Sequence, residues 1–279
     1  MTHIITAELQ GSFATYLRLE EKSPATIEKY TRDLRTFAAF VKGREVDKQL
    51  VLDYKNSLSD QYTTTSANSM LAALNSFLRF CGWHDLIVKQ FRVQRQIFCS
   101  EEKELTKQEY LRLVTTAEKQ GNTRLSLILQ TICSTGIRVS ELIYITVDAV
   151  RQGEARVSCK GKTRCIFIVP ELRKKLLAYV KKQGVKEGSI FVTRNGRPMD
   201  RTSIWRAMKA LCAAAKVAAT KVFPHNLRHL FARIFYSMQK DIVSLADLLG
   251  HTSINTTRIY TVTSGENHKR KMKLMKLII

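Results

Sequence analysis

The stretch LLGHTSINTTRIY, residues 248–260, places His251 nine residues before Tyr260, with mostly small polar residues between them. Its simplest interpretation is a turn between two helices, followed by an ordinary half-buried tyrosine. The chain contains nine tyrosines, so a special role for Tyr260 needs support from the rest of the sequence.

Length and composition indicate a globular protein that does not cross a membrane. The chain has 279 residues, enough for two domains, and 44 % of them are hydrophobic. It lacks a run of about 18 apolar residues, and the N-terminal MTHIITAELQ does not resemble a signal peptide. Six scattered cysteines without a CxxC pair argue against zinc-ribbon and redox-motif proteins. We therefore expect a cytoplasmic protein with reduced thiols.

Net charge is the strongest signal in the composition. The chain has 46 Lys and Arg against 24 Asp and Glu, a net charge of +22. Residues 1–99 contribute +3 (13 basic, 10 acidic) and residues 100–279 contribute +19 (33 basic, 14 acidic). Such an excess is typical of proteins that bind nucleic acid. We expect the phosphate backbone to lie closest to the second part of the chain.

The first 84 residues are predicted to form a helical domain. Apolar residues recur there at spacings of three and four in four segments: 4–20, 23–41, 47–59 and 63–83. Ser23 is a candidate N-cap, and Pro24 occupies the first helical position after it. Residues 85–104 show no clean period and end in a charge run, which predicts a linker.

The second domain, residues 105–279, is predicted to be helical around a small β-structure. GEARVSCKGKTRCIFIVP (153–170) has two apolar, β-branched-rich runs around a Lys-Gly-Lys tip, which predicts a β-hairpin. SIFVT (189–193) is predicted to be a third short strand. Helices are predicted from a capping box at Thr106 and Glu109 onward, and at 124–134, 138–150, 201–217, 225–239, 241–249 and 253–260. The predicted class is mainly α with a small antiparallel β-sheet (α+β).

The second domain lacks the residues for metal-dependent or nucleotide-dependent chemistry on a phosphodiester. The 14 acidic residues of 100–279 include no DxD or DxE set, and no GxxxxGK[ST] loop is present. His225 and His229 have the spacing of a zinc pair, but Asn226 stands where HExxH has its glutamate. Metal-free chemistry instead requires a nucleophile, fixed cations facing the phosphate and a general acid.

Short motifs supply all three kinds of group. STGIRVSEL (134–142) places an arginine after a glycine break, with Glu141 one turn later. PHNLRHLFA (224–232) opens a helix on which a histidine and an arginine three residues apart share a face. The hairpin tip supplies Lys160 or Lys162, and the opening stretch supplies a histidine and a tyrosine. The candidate site residues are Arg138, Lys160, His225, Arg228, His251 and Tyr260.

These motifs, in this order and with the basic hairpin after the first, resemble the tyrosine recombinase family of Xer proteins and phage-type integrases. SPATIEKYTRDLRTFAAF is similar to the family's N-terminal core-binding domain, though less specifically. The resemblance implies that Arg138 and Arg228 bind the scissile phosphate and that His225 assists proton transfer around the tyrosine. It also implies that Lys160, or alternatively Lys162, protonates the departing 5′ oxygen. His251 would hydrogen-bond the phosphate, and Tyr260 would form a 3′-phosphotyrosine.

The resemblance further implies a site-specific recombinase that works as a homotetramer on double-stranded DNA with paired half-sites. Strand exchange would pass through a Holliday junction and would need no metal or other cofactor. The basic, amphipathic segment 269–279 would dock on a neighbouring subunit, with packing on its own domain as the alternative. We expect no added arm-type DNA-binding domain. Dimer resolution, integration or excision, inversion and the need for a partner recombinase remain open.

Two other functions are compatible with parts of this pattern. A type IB topoisomerase-like enzyme would nick and close DNA with similar chemistry. A catalytically silent, architectural DNA-binding protein would keep the basic surface and lose the cleavage. The N-terminal resemblance and the subunit-docking tail favour a recombinase over a topoisomerase. Because every expected catalytic position is occupied, the sequence gives the architectural protein little support.

Overall fold

A computed structural model describes residues 3–93, 103–159, 162–260 and 273; for Cys159 and Lys162 it describes the backbone alone. The chain divides into two compact units, residues 1–95 and residues 96–279. The described residues are mostly helical with one two-stranded antiparallel sheet, which confirms the predicted class. No helix in the described ranges is long and apolar enough to span a membrane.

The first unit contains four helices, as predicted. They are α1 (Ala7–Leu19), α2 (Pro24–Val41), α3 (Lys48–Gln61) and α4 (Thr64–Phe80). Ser23 caps α2 by accepting a hydrogen bond from the backbone N–H of Thr26, and Pro24 occupies the first position. The amphipathic faces meet in one core whose largest fully buried members include Phe13, Phe37 and Phe77.

The described part of the predicted linker packs against the first unit. A 3-10 helix at His84–Leu86 follows α4, and the side chains of Leu86 and Val88 are buried in the same core. The amide of Asn75 on α4 donates to the Val88 carbonyl at 2.8 Å and accepts from its N–H at 3.1 Å. These paired hydrogen bonds and apolar side chains attach residues up to 93 to the first unit.

The second unit places a hairpin among helices. Its elements are α5 (Lys107–Lys119), α6 (Thr123–Thr135), α7 (Val147–Gln152), β1 (Glu154–Cys159), β2 (Lys162–Phe167), α8 (Pro170–Gln183), α9 (Arg201–Leu211), α10 (Pro224–Gln239), α11 (Ile242–Leu249) and α12 (Ile254–Thr257). The predicted capping box at Thr106 and Glu109 is present. Helix α6 packs against α5, α8 and α10 and is buried on most of its surface.

The predicted hairpin is confirmed, and its register is defined. Strand β1 runs antiparallel to β2, with Val157 opposite Arg164 and Cys159 opposite Lys162. Residues 160 and 161, which join the strands, lie outside the described residues. The inward face of the hairpin carries the buried side chains of Ala155, Val157, Ile166 and Ile168.

The predicted single helix at 138–150 is wrong. Residues Val139–Tyr144 form a 3-10 helix, and α7 begins only at Val147. Thr146 is extended and caps α7 through its side chain, while the Ile145 carbonyl accepts from the backbone N–H of Ile190. The helix is interrupted because the Ile145 carbonyl and the Val147 N–H both bond to the backbone of residues 188–190.

The predicted third strand at 189–193 is also wrong. Ser189 forms an isolated β-bridge with Thr146, and Val192 forms another with Pro198. The segment therefore has one bridge to each of two different parts of the chain. No continuous ladder results, although Ile190 and Phe191 are buried as strand-like apolar residues would be.

The predicted helix at 201–217 ends early, at Leu211. Turns follow, and Lys216 has a left-handed backbone with φ of +52°. The predicted helix at 253–260 is present as α12 followed by a 3-10 helix at Arg258–Tyr260. Ser253 caps α12 by accepting from the Asn255 N–H.

Candidate active site

The glycine break before Arg138 has a clear structural reason. Gly136 ends α6 with φ of +64°, and a Cβ there would lie 2.5 Å from the Phe231 ring. Only glycine combines this left-handed backbone with such close packing. Arg138 then follows in an extended conformation as the N-cap of the 3-10 helix.

Glu141 holds Arg138 in place. Its Oε1 accepts from the Arg138 guanidinium at 2.8 Å, and its Oε2 accepts from the Arg138 backbone N–H at 2.9 Å. The Glu141 side chain is 4 % exposed, whereas that of Arg138 is 38 % exposed. Burial opposes ionisation, but the hydrogen bonds from Arg138 and the charges of Arg164 and Arg138 hold the pKa of Glu141 below its usual value. The guanidinium of Arg138 is therefore both oriented and accessible.

Arg228, on α10, is almost completely buried at 1 % exposure. Its guanidinium donates to the Gly136 carbonyl, to the Leu249 carbonyl at 2.6 Å and to Nε2 of His251 at 3.1 Å. Burial, and then the charge of Arg138, lower its pKa to about 10, which leaves it protonated at neutral pH. Two fixed cations thus stand side by side, one buried and one partly exposed.

His251 lies in the turn between α11 and α12. Gly250 ends α11 in a left-handed conformation, and Ser253 begins α12 two residues after the histidine. Nδ1 of His251 lies 2.9 Å from the hydroxyl of the buried Thr257. Burial, and then the charges of Arg228 and Arg138, lower the pKa of His251 to about 4. His251 therefore lies in the turn just before α12.

Tyr260 ends the 3-10 helix that follows α12 and is 4 % exposed. Its ring stacks on that of His251 with 5.9 Å between centroids. It also meets the His229 ring edge-on at 4.8 Å. Its apolar neighbours are Ala232, Leu245 and Leu249. The tyrosine of the opening stretch is thus brought to the histidine nine residues before it.

His225 and His229 are adjacent on α10, with ring centroids 4.4 Å apart. Burial and the charges of Arg228 and Arg138 lower the pKa of His225. Burial, and then His225, lower that of His229 to about 4. Within the described ranges, no third His, Cys, Asp or Glu joins this pair as a possible metal ligand. The geometry leaves His229 packed between His225 and Tyr260.

A cleft of about 420 Å³ opens beside these groups. Arg138, His225 and Arg228 line it, together with Arg201 and Trp205 from α9. Trp205 is 45 % exposed, and Lys209 Nζ lies 5.3 Å from its ring centroid. The sequence analysis missed Arg201 and Trp205. Their spacing of four predicts a shared helix face, but no motif connects that face to the site.

Arg164 was also missed. It lies on β2, and its guanidinium donates to Glu141 Oε2 at 2.5 Å and to the Leu248 carbonyl. A sequence signal does exist, because Arg164 shares its strand face with Ile166 and Ile168, both buried. A charged residue on an apolar face indicates a buried partner.

The lysine candidates are not located. Lys160 and the side chain of Lys162 lie outside the described residues. Of the six predicted site residues, the structure brings five together: Arg138, His225, Arg228, His251 and Tyr260.

Comparison with known proteins agrees with this arrangement. Residues 103–266 match the phage integrase family, and residues 11–84 match the phage integrase N-terminal SAM-like domain. The chain is 30 % identical to the tyrosine recombinase XerA of Thermococcus kodakarensis, over 97 % of this chain and 96 % of the relative. It is 31 % identical to XerC of Pelobacter propionicus, over 91 % and 90 % of the two chains.

A solved structure has the same fold. It is that of a lambda integrase tetramer bound to a Holliday junction, with a TM-score of 0.75 and 18 % identity over 93 % of this chain and 77 % of that chain. The chain therefore belongs to the phage integrase family of tyrosine recombinases, enzymes that cut and rejoin DNA at specific sites.

Proposed function

We propose that Tyr260 is the nucleophile of a site-specific DNA recombinase whose other catalytic groups are Arg138, Lys160, His225, Arg228 and His251. One observation carries this assignment. The Tyr260 ring stacks on His251, whose Nε2 lies 3.1 Å from the guanidinium of Arg228. A tyrosine whose ring stacks on this histidine lies close to a buried guanidinium, a group suited to binding phosphate oxygens.

The reaction divides into two balanced transesterifications. The Tyr260 oxygen attacks the scissile phosphorus, the bond to the 5′ oxygen breaks, and a 3′-phosphotyrosine remains. The departing 5′ oxygen takes a proton from Lys160, or alternatively from Lys162. His225 accepts the tyrosine proton and returns it to Tyr260 in the second step, when the lysine recovers its own proton from the attacking 5′-hydroxyl. A 5′-hydroxyl from the partner duplex then attacks the phosphotyrosine and releases Tyr260. The ester energy is conserved, so neither step consumes ATP.

The arginines stabilise the charge that develops on the phosphate. Arginine is suited to this because its planar guanidinium binds two oxygens and stays protonated. Arg228 is held by three acceptors, and Arg138 by both oxygens of Glu141. Such preorganisation limits the reorientation needed when the phosphate arrives. His251 adds a further hydrogen bond to the phosphate only when Arg228 releases its Nε2 and that nitrogen takes up a proton.

Double-stranded DNA with paired half-sites is the proposed partner, in the cytoplasm. Residues 100–279 hold +19 of the net charge of +22, so phosphate contacts should dominate affinity and make it fall steeply with salt. Four protomers would exchange strands through a Holliday junction, which the lambda integrase tetramer on such a junction supports. The C-terminal segment 269–279, of which the structure describes residue 273 alone, would dock on a neighbouring protomer.

Covalent capture tests the assignment of the nucleophile. Wild type is incubated with a pool of nicked duplexes with randomised cores, and attached DNA is recovered under denaturing conditions and sequenced. Tyr260→Phe should bind DNA natively and attach none. Tyr236→Phe is the matched control, because Tyr236 packs on the same apolar cluster yet has no proposed role. This control should attach DNA as wild type does.

The results of covalent capture and of a second assay distinguish the candidate functions. Attachment by Tyr260→Phe would show that another residue is the nucleophile. Native binding by every variant without attachment by wild type would support an architectural protein. Two differently labelled duplexes that carry the recovered site then separate recombination from topoisomerase action. Exchange of label between them supports a recombinase, whereas relaxation of supercoiled DNA without exchange supports a nicking-closing enzyme.

A further inference from the structure

We propose that Arg164 is a positioning residue that holds Arg138 and the turn before His251 in their active geometry. This inference rests on the proposed function, since it assigns Arg164 a role through residues placed in that reaction. Arg164 does not line the cleft with Arg138 and His225, and its side chain is 12 % exposed. It acts on the site indirectly, through hydrogen bonds to the Glu141 carboxylate and the Leu248 backbone carbonyl.

The first link is the shared carboxylate of Glu141. Oε1 accepts from the Arg138 guanidinium at 2.8 Å. Oε2 accepts from the Arg138 backbone N–H at 2.9 Å and from the Arg164 guanidinium at 2.5 Å. A carboxylate with both oxygens engaged cannot rotate without breaking a charge-assisted hydrogen bond. Arg164 therefore fixes the plane of Glu141, which in turn fixes the guanidinium of Arg138.

The second link is the turn at residues 248–250. Arg164 donates to the Leu248 carbonyl, and Arg138 approaches the Gly250 carbonyl at 3.4 Å. The aliphatic stem of Arg164 fills the space that a side chain at 250 would take, because a Cβ there would lie 2.4 Å from the Arg164 Cδ. The absence of a side chain at Gly250 thus allows Arg164 to pack closely against the backbone before His251. The same arginine contacts the segment that carries His251 and the residue that orients Arg138.

The third link is the hairpin. Arg164 lies opposite Val157 in the register of β1 and β2, four residues after Lys160. Its two hydrogen bonds attach β2 to the 3-10 helix of Arg138 and to the end of α11. The strand that follows the proposed general acid is therefore bound to the elements that carry the other catalytic groups.

The test compares Arg164→Gln with Arg138→Ala on two DNA substrates. One is the duplex recovered by covalent capture with its normal scissile phosphate. The other has a neutral methylphosphonate at that position, which removes the charge that Arg138 would stabilise. Single-turnover cleavage is measured with saturating protein. If Arg164 acts through Arg138, Arg164→Gln should cleave the phosphate about tenfold to a hundredfold more slowly than wild type. Its defect should shrink on the methylphosphonate, as that of Arg138→Ala does.

Two further variants control for folding and charge. Arg156→Gln removes an arginine from the same hairpin, and this side chain is 81 % exposed. It should cleave both substrates at the wild-type rate. Arg164→Lys keeps the charge but cannot span both acceptors, so it should fall between wild type and Arg164→Gln. The melting temperature of each variant identifies any loss of folding.

A measurement without DNA supplies an independent readout. The charge of Arg164 contributes to the low pKa of Glu141. Carboxyl ¹³C NMR should show that this pKa rises in Arg164→Gln and stays unchanged in Arg156→Gln. An unchanged Glu141 titration in folded Arg164→Gln would overturn the proposal.

The kinetic outcomes separate this proposal from the proposed function. Arg164→Gln could lose the same factor in cleavage rate on both substrates while Arg138→Ala loses more on the phosphate. That result would overturn the positioning role of Arg164 alone. If Arg138→Ala instead loses the same factor in cleavage rate on both substrates, the result would contradict the role of Arg138 in the reaction.

Discussion

Nε2 of His251 lies 3.1 Å from a guanidinium nitrogen of Arg228, and this contact defines the protonation of the histidine. A guanidinium can only donate, so Nε2 must accept. The proton of the neutral ring is then on Nδ1, which donates to the hydroxyl of Thr257 at 2.9 Å. The low pKa of His251, about 4, agrees with a neutral ring beside two arginines. Arg228 therefore sets the tautomer of His251, and Thr257 accepts from the resulting Nδ1–H.

Replacement of Thr257 by valine should weaken cleavage without loss of the fold. Valine has nearly the same shape but cannot accept a hydrogen bond from the Nδ1–H of His251, and Thr257 is fully buried. We expect a roughly five- to tenfold slower cleavage, the equivalent of about one hydrogen bond. Histidine ring ¹³C and ¹⁵N NMR should show that Nδ1 keeps its proton, because Arg228 still occupies Nε2, and that the Nδ1–H has lost its hydrogen bond. Thr256→Val, at an exposed neighbouring position, should match wild type; an equal loss there would contradict this role.

Gly250→Ala should reduce cleavage more than its backbone strain explains. Gly250 and Gly184 both end helices with left-handed backbones, φ +62° and +67°, so alanine should cost about 1–2 kcal/mol of stability at either. The Cβ at 184 would enter open space, whereas that at 250 would displace Arg164. We expect cleavage to fall only in Gly250→Ala. Melting temperatures are compared in parallel. If Gly250→Ala and Gly184→Ala cleave DNA at similar rates, the result would contradict the close approach of Arg164 to Gly250.

Acidic conditions should destabilise the second unit through the partly buried His229. The pKa of His229 is about 4, below the ordinary 6.5, and its Nε2 is buried without a partner in the described part of the chain. The unfolded chain therefore binds more protons between pH 6.5 and 4, and stability falls as the pH drops through that window. Above pH 6.5 this contribution to stability is fully present.

His229→Phe should reduce the loss of folding stability between pH 6.5 and 4. At pH 5 we expect a gain of about 1 kcal/mol relative to wild type, after allowance for partial exposure of the ring. Thermal unfolding between pH 4.5 and 7.5 measures the effect. His84→Asn, an exposed histidine of the first unit, should follow the wild-type curve. A wild-type melting temperature equal at pH 5 and pH 7 would sink the prediction.

Trp205 should report on DNA in the cleft. The chain has two tryptophans, and Trp83 packs in the first unit against Phe77. In Trp83→Phe, DNA should change the fluorescence of Trp205, which is 45 % exposed beside Arg138 and His225. Trp205→Phe, which retains Trp83, should change little. Trp205→Ala should weaken DNA affinity by about 1 kcal/mol. An equal response from both single-tryptophan proteins would mean that DNA does not reach the cleft.

The elements that the sequence predicted well are those with local causes. Periodic apolar faces, Ser23 with Pro24, and the box of Thr106 and Glu109 define helices through contacts within a few residues. The hairpin follows from alternating β-branched runs around a short tip. The predictions at 138–150 and 189–193 were wrong because the backbone groups of Ile145 and Ile190 bond to each other across the chain.

By itself, the sequence determined the helical class, the hairpin and the identity of six candidate residues, because propensity, capping and motif order depend on neighbours along the chain. Only the tertiary structure decided which groups hold those residues in place. Arg228 reaches the carbonyl of Gly136, 92 residues away, and Arg164 reaches Glu141, 23 residues away. Such contacts form when distant elements pack and buried charges must find partners, which no local pattern specifies.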